Sequence, residues 1–221
     1  METIKFYFSF RSPYAWLAFH RLERAFAGLP VTVRRIPVFP PPEFPNDPAA
    51  LPVKLAYIVH DITRIAAAYG LRIKWPKVGG TDWIVPHAAY VFASDCDKGD
   101  AFALAAFAAR FSEGRNLGDH EVLSDVARAC GLDAAATLRA SADATFHERV
   151  MQGLMEGFGE GIFGVPFFVY GEQKFWGNDR LEWVRRAVCE RLGQTVPALD
   201  ADLMASPAHG PNLPIRHAGD L

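Results

Sequence analysis

The sequence predicts an α/β chain whose β-α-β opening and β-β-α ending are separated by a long helical stretch. Three observations carry that expectation. An aromatic and β-branched run near the N-terminus is followed by a Ser-Pro pair and an amphipathic segment. Apolar residues recur at helical spacing through the middle of the chain. Two short strand-like runs around a Gly-Glu turn then precede a last amphipathic stretch.

Residues Ile4 to Phe10, IKFYFSF, have the composition of a buried strand. Ser12-Pro13 begins a helix, with the serine hydroxyl placed to cap a free backbone N–H and the proline preset for the first helical position. Trp16, Leu17, Phe19, Leu22 and Phe26 form its inner face, and Gly28 ends it. Val31 to Ile36 is a second strand, and a β-α-β order implies a parallel pair with a crossover helix. A proline-rich loop, Pro37 to Pro48, leads to a helix over Val53 to Tyr69. Leu55, Ile58, Val59, Ile62, Ile65, Ala66 and Tyr69 are its expected core face, with Lys54, Tyr57, Asp61 and Arg64 opposite and Gly70 as its stop. Helices are expected over Pro86 to Asp95, Asp100 to Glu113, Asp119 to Cys130 and Asp143 to Phe158, with Gly114 and Gly131 as terminators. Phe167 to Tyr170 and Gln173 to Trp176 read as a hairpin. Gly177-Asn178-Asp179 is expected to cap a final helix, Arg180 to Leu192, with Leu181, Val184 and Val188 facing inward.

This order is that of a thioredoxin-like fold with a large α-helical domain inserted between its halves. Residues 1–45 and 161–192 form the two halves, 46–160 the inserted domain, and 193–221 a loosely packed C-terminal tail.

Composition narrows the function. The net charge is −2, with acids and bases interspersed, which argues against a nucleic-acid partner. No uncharged apolar run reaches the roughly 18 residues that a membrane helix needs, and no signal-peptide pattern opens the chain. Cys96, Cys130 and Cys189 are odd in number and far apart, which suits a reducing cytoplasm and argues against a disulfide scaffold or a structural zinc site. No histidine pair has metal-ligand spacing, so no metal is expected.

In a thioredoxin-like fold the head of the first helix is the reactive corner, because its unpaired N–H groups and partial positive charge steady a thiolate. Redox members place Cys-x-x-Cys there. Here the tetrad is Ser12-Pro13-Tyr14-Ala15, so dithiol chemistry is excluded, while the Ser12 hydroxyl suits hydrogen bonding to a thiolate supplied from outside. Val165-Pro166, expected cis, would set the Val165 backbone against that corner, where it could pair with an extended peptide such as glutathione. Asp179, at a helix start, suits an amino group, and the free N–H groups there suit a carboxylate. His87 is the most prominent titratable group of the insert, and as a lone histidine it reads as structural ahead of catalytic.

The pieces FYFSFRSPYAWLA, KLAYIVHDITRIA, GIFGVPFFVY and FWGNDRL resemble the 2-hydroxychromene-2-carboxylate isomerase family, related to kappa-class glutathione transferases and more distantly to DsbA-type oxidoreductases. The resemblance implies a glutathione-dependent isomerase of aromatic catabolism, acting on a small aromatic-derived acid as a homodimer. It implies that Ser12 contacts the glutathione sulfur, that Val165 and Pro166 hold the cysteinyl backbone, and that Trp176, Gly177, Asn178 and Asp179 hold the γ-glutamyl end. Asn46 and Lys54 match polar residues around the tripeptide and substrate, and Lys54 suits a substrate carboxylate. Two places depart from the family: Ser9 stands where an acid is common, and Trp83 to Tyr90 differs from an asparagine-containing segment. A glutathione transferase that releases its conjugate and a non-catalytic binding module are the competing readings.

Overall fold

The computed structural model describes residues 2–39, 51–76 and 81–196. A four-stranded sheet of order β2-β1-β3-β4 is built from β1 (Glu2–Phe8), β2 (Val31–Pro37), β3 (Phe167–Tyr170) and β4 (Gln173–Trp176). β1 runs parallel to β2, and β3 is antiparallel to both β1 and β4. The helix α1 (Pro13–Phe26) crosses between β1 and β2. Between β2 and β3 lie α2 (Pro52–Ala68), α3 (Ile84–Asp95), α4 (Gly99–Phe107), a π turn (Ala108–Ser112), α5 (His120–Ala129), α6 (Ala134–Ser141) and α7 (Ala144–Gly159). A 3-10 turn (Asn178–Arg180) and α8 (Leu181–Arg191) close the fold. This is the predicted architecture.

β1 is the spine of the molecule because both of its faces are covered. Ile4, Phe6 and Phe8 point into the larger core with α1, α3 and α4, while Tyr7 points the other way into a smaller cluster with Leu154 and Ile162. The Phe6 ring stacks on Phe168 of β3 at 4.9 Å. Phe8 meets Tyr90 of α3 edge-on at 5.0 Å, and Phe10 meets Phe107 of α4 at 5.0 Å. The sheet and the helical stretch therefore share one continuous hydrophobic core.

α7 lies close against the sheet. A Cβ at Gly153 would come 2.9 Å from Ile36 Cγ2, and one at Gly157 would come 2.5 Å from Ile162 Cδ1. Charge fixes the same contact: Lys5 pairs with Glu156 at 2.8 Å and also with Glu160, the Tyr7 hydroxyl donates to Glu160 at 2.8 Å, and Arg34 reaches Glu156 at 2.7 Å.

His87 joins the insert to the end of β1. It is fully buried, and its Nε2 accepts the Phe10 N–H at 3.2 Å. Its Nδ1 faces the Trp83 carbonyl, which can only accept, so the ring is the neutral Nδ1–H form. Burial pushes its pKa down to about 4.

Four predicted details change. The first strand covers Glu2–Phe8 and not Ile4 to Phe10, because Ser9 and Phe10 leave the ladder to form the turn in which Ser12 N–H bonds Ser9 C=O at 3.0 Å. α6 was not predicted, since its short alanine-rich run shows little apolar periodicity. The final helix begins at Leu181, after the 3-10 turn. On α2 only Ile62 and Ala66 are buried, joined by Tyr69 just past its end, and its N-terminal half leaves Val53 and Tyr57 exposed.

Two outcomes follow. Gly153→Leu forces a side chain into Ile36 and lowers stability by about 3 kcal/mol in urea denaturation; an unchanged midpoint would mean that α7 is not tightly seated. His87, depressed in the folded state relative to its ordinary value near 6.5, binds a proton more readily when unfolded. Stability is therefore full above pH 6.5 and falls as pH drops toward 4, by about 3 kcal/mol from this group. His20, also pushed to about 4 by burial, acts in the same window. His87→Gln, which keeps one donor and one acceptor, removes the His87 share; an identical loss in the variant between pH 7 and 4 would refute the assignment.

Candidate active site

Ser12 caps α1. Its Oγ accepts the Ala15 N–H at 3.2 Å, and Pro13 occupies the first helical position. The same hydroxyl donates to the carbonyl of Val165 at 3.2 Å, across the Val165–Pro166 bond, which is cis. That distance is long for an O–H···O bond, so the donor is weakly engaged. The Tyr14 N–H has no partner among the described residues, so the helix head holds two donors, Ser12 Oγ–H and Tyr14 N–H, available to an anion.

A cavity of about 380 Å³ opens over this corner. Ser9, Arg11, Ser12 and Tyr14 form its floor, Phe39, Lys54 and Ile58 line it from the α2 side, and Phe158, Phe163 and Trp176 add aromatic wall. Among the described lining residues Arg11 and Lys54 are charged and none is a carboxylate. The Phe163 and Trp176 rings meet edge to face at 4.9 Å. Gly164 lets the indole approach: a Cβ there would lie 2.9 Å from Trp176 Nε1.

Of the sequence-predicted residues, the cavity gathers Ser12, Lys54, Val165 and Trp176. Pro166 is buried behind Val165, and its carbonyl accepts the Gly177 N–H at 3.0 Å. Gly177 has φ +116°, a conformation that L side chains rarely adopt, and a Cβ would meet Asp179 Oδ1 at 2.5 Å. Asp179 is exposed and paired with Arg180 at 2.6 Å. Asn178 is buried beneath that turn, outside the cavity lining, and its carbonyl accepts from Arg21 Nη1 at 2.9 Å. Arg21 is itself buried and bonds Glu182 at 2.8 Å, so it fastens the 177–179 turn to α1. Asn46 lies outside the described residues. His87 is closed into the core and does not line the cavity.

The sequence reading passed over Arg11, Tyr14, Phe39, Phe158 and Phe163. Tyr14 donates to Asp61 Oδ2 at 2.7 Å, and Asp61 also pairs with Arg64. Burial raises the Asp61 carboxyl, and the hydrogen bonds from Tyr14 and Arg64 more than reverse this, leaving it below its ordinary value. This pairing ties the stripe Tyr57, Asp61 and Arg64 to α1, so that stripe is not merely a solvated helix face. The Asp61 position four residues before Ile65 gave no hint of its contact with Tyr14, which is 47 residues away in sequence.

Glutathione fits this corner on three observations. Two donors at a helix head suit a thiolate. A backbone carbonyl at Val165 lies beside them. The cavity falls within the roughly 300–1,000 Å³ that small ligands occupy. Among the described residues there is no cluster of three metal-ligating side chains, and no helix is long and apolar enough to cross a membrane.

A 2-hydroxychromene-2-carboxylate isomerase of Sphingobium xenophagum is 27% identical over 191 residues, covering 83% of this chain and 96% of that protein. One from Pseudomonas putida is 25% identical over 192 residues, covering 84% and 93%. A solved 2-hydroxychromene-2-carboxylate isomerase superposes with a TM-score of 0.74 at 24% identity, over 86% of this chain and 96% of that one. A cytosolic disulfide reductase, DsbM of Pseudomonas aeruginosa, solved with GSH, superposes with a TM-score of 0.64 at 17% identity, over 86% and 99%. The family model of the DSBA-like thioredoxin domain matches residues 3–188, and the chain belongs to that family.

Proposed function

We propose that this protein is a glutathione-dependent isomerase acting on an aromatic-derived conjugated carboxylic acid. The observation that carries the reading is the weakly engaged Ser12 hydroxyl beside the Tyr14 N–H, which has no partner among the described residues, at the floor of a cavity with aromatic walls and no carboxylate among its described lining residues. Bound glutathione would supply a thiolate that adds to a conjugated carbon and leaves again, permitting rotation about the bond between. Ser12 gives up its long bond to Val165 and donates to the sulfur, and the head of α1 adds its partial positive charge. Val165 pairs with the tripeptide backbone, and Trp176, Gly177 and Asp179 hold its γ-glutamyl end. Phe39, Phe158 and Phe163 enclose the aromatic part of the substrate and exclude water. Isomerases among the relatives and a GSH-bound fold neighbour support this reading. A homodimer working in the cytoplasm belongs to the same proposal, as does the division into a thioredoxin-like domain and a helical insert that walls the substrate.

Ser12→Ala removes one donor to the developing charge. It is expected to lower kcat by about a hundredfold while changing glutathione affinity far less, by analogy with the loss of one oxyanion donor. Stopped-flow turnover with glutathione and calorimetric titration separate the two effects. A variant as fast as the parent would remove Ser12 from the chemistry. Mass spectrometry of the product should show the starting mass; a glutathione conjugate would make the protein a transferase.

A further inference from the structure

The cavity floor holds a second hydroxyl besides that of Ser12. Ser9 follows β1 directly, lines the cavity and is only 1% exposed. It lies just beyond Tyr7, and Val38, Leu154 and Ile162 from the small cluster around Tyr7 line the cavity with it, so Ser9 borders the apolar end. Its carbonyl accepts the Ser12 N–H at 3.0 Å, and its Oγ accepts the Arg11 N–H at 3.2 Å. A hydroxyl also carries a proton to donate, and that of Ser9 finds no acceptor among the described residues. Burying a donor without an acceptor is unfavourable, and alanine would fill the same place without that cost. Because the residue borders the cavity, an occupant there can supply the acceptor.

The chemistry of a conjugated substrate calls for such a donor. Addition of a thiolate to a double bond conjugated with a carbonyl forms a C–S bond, and the π electrons move to the carbonyl oxygen. Rotation follows about what is then a single bond. Expulsion of the thiolate restores the double bond, with no proton gained or lost. Negative charge therefore leaves the sulfur for an oxygen, and the two atoms need separate donors. Ser9 and Ser12 end one turn, closed by the bond between the Ser12 N–H and the Ser9 carbonyl, and the ends of such a turn lie within about 7 Å of each other. Their hydroxyls can reach the sulfur and the carbonyl oxygen of one adduct. Other lining groups suit the oxygen less. The Tyr14 hydroxyl is spent on Asp61, Arg11 has an interaction of its own, and Lys54 is exposed on the start of α2.

Resting on the reading of this cavity as the site of a glutathione-dependent isomerase, we propose that Ser9 is a second catalytic residue. Its hydroxyl donates to the substrate's conjugated carbonyl oxygen, where charge collects as the thiolate adds. Ser12 serves the sulfur and Ser9 the oxygen. Where an acid is common in the family that the chain resembles, this chain presents a neutral donor.

The test uses benzoylpropionate, an aromatic keto acid that cannot add a thiol, and (Z)-benzoylacrylate, its conjugated counterpart, on the full-length protein. With no glutathione present, the infrared ketone band of bound benzoylpropionate should lie at lower frequency in the parent than in Ser9→Ala, and Ser12→Ala should keep the parent position. With glutathione, Ser9→Ala should convert (Z)-benzoylacrylate to its E isomer with a kcat lower by about a hundredfold, as for loss of one oxyanion donor. Ultraviolet titration of the bound thiolate separates the two serines: Ser12→Ala should raise its pKa and Ser9→Ala should leave it in place. Ser9→Thr and Ser9→Val, alike in shape, differ in the hydroxyl and give the same comparison if Ser9→Ala folds poorly. A ketone band that does not depend on the Ser9 hydroxyl, a parent that does not bind benzoylpropionate, or a Ser9→Ala protein that raises the thiolate pKa as Ser12→Ala does overturns the proposal. A parent that binds no glutathione while its ketone band still depends on Ser9 would defeat the cofactor reading alone.

Discussion

Everything at the candidate site depends on β1 being buried on both faces. Phe6 and Phe8 pack into the main core while Tyr7 points into the smaller one under α7. A slip of one residue would exchange these sets and place aromatic rings where the other face has no room. The strand therefore has one register, and so does its end. Ser9 and Phe10 turn out of the sheet, and Ser12 arrives at the head of α1 with its hydroxyl against Val165.

On the insert side the corner is held by a neutral contact. His87 would normally be a candidate for proton transfer, yet its two nitrogens are occupied by the Phe10 N–H and the Trp83 carbonyl. Burial pushes its pKa down to about 4, and charging it would also set an N–H against the Phe10 N–H. Its part is to tie α3 to the last residues before Ser12. Arg21 does similar work on the other side, where a buried guanidinium fastens α8 and the 177–179 turn to α1. The elements that would hold the two ends of a tripeptide are thus anchored to the same helix.

Charge is divided by region. Paired networks such as Lys5, Arg34, Glu156 and Glu160 fix α7 on the outer face of the sheet, and Arg149 with Asp95 joins α7 to α3. Around the cavity the balance is different: Arg11 and Lys54 line it, and no described lining residue is acidic. A site of this kind favours an anion over a neutral molecule of the same shape.

Local signals in the sequence determined much of this. The Ser-Pro helix start, the aromatic run of β1, the hairpin around Gly171 and the β-α-β and β-β-α order all follow from preferences that act within a few residues. The fold they imply, together with the family resemblance, grouped Ser12, Val165 and Trp176, and the structure brings these three to one cavity. Contacts between distant segments were not legible. Tyr14 with Asp61, His87 with Phe10 and Arg110 with Trp83 join residues whose spacing along the chain has no period. The burial of Asn178 under its own turn, and the half-exposed start of α2 beside the cavity, also came only from packing. The sequence by itself determined which residues could begin helices, run as strands and offer a hydroxyl at a helix head. Only the tertiary structure decided which polar groups lost water and which kept a free bonding direction, because desolvation depends on every element that closes around a group.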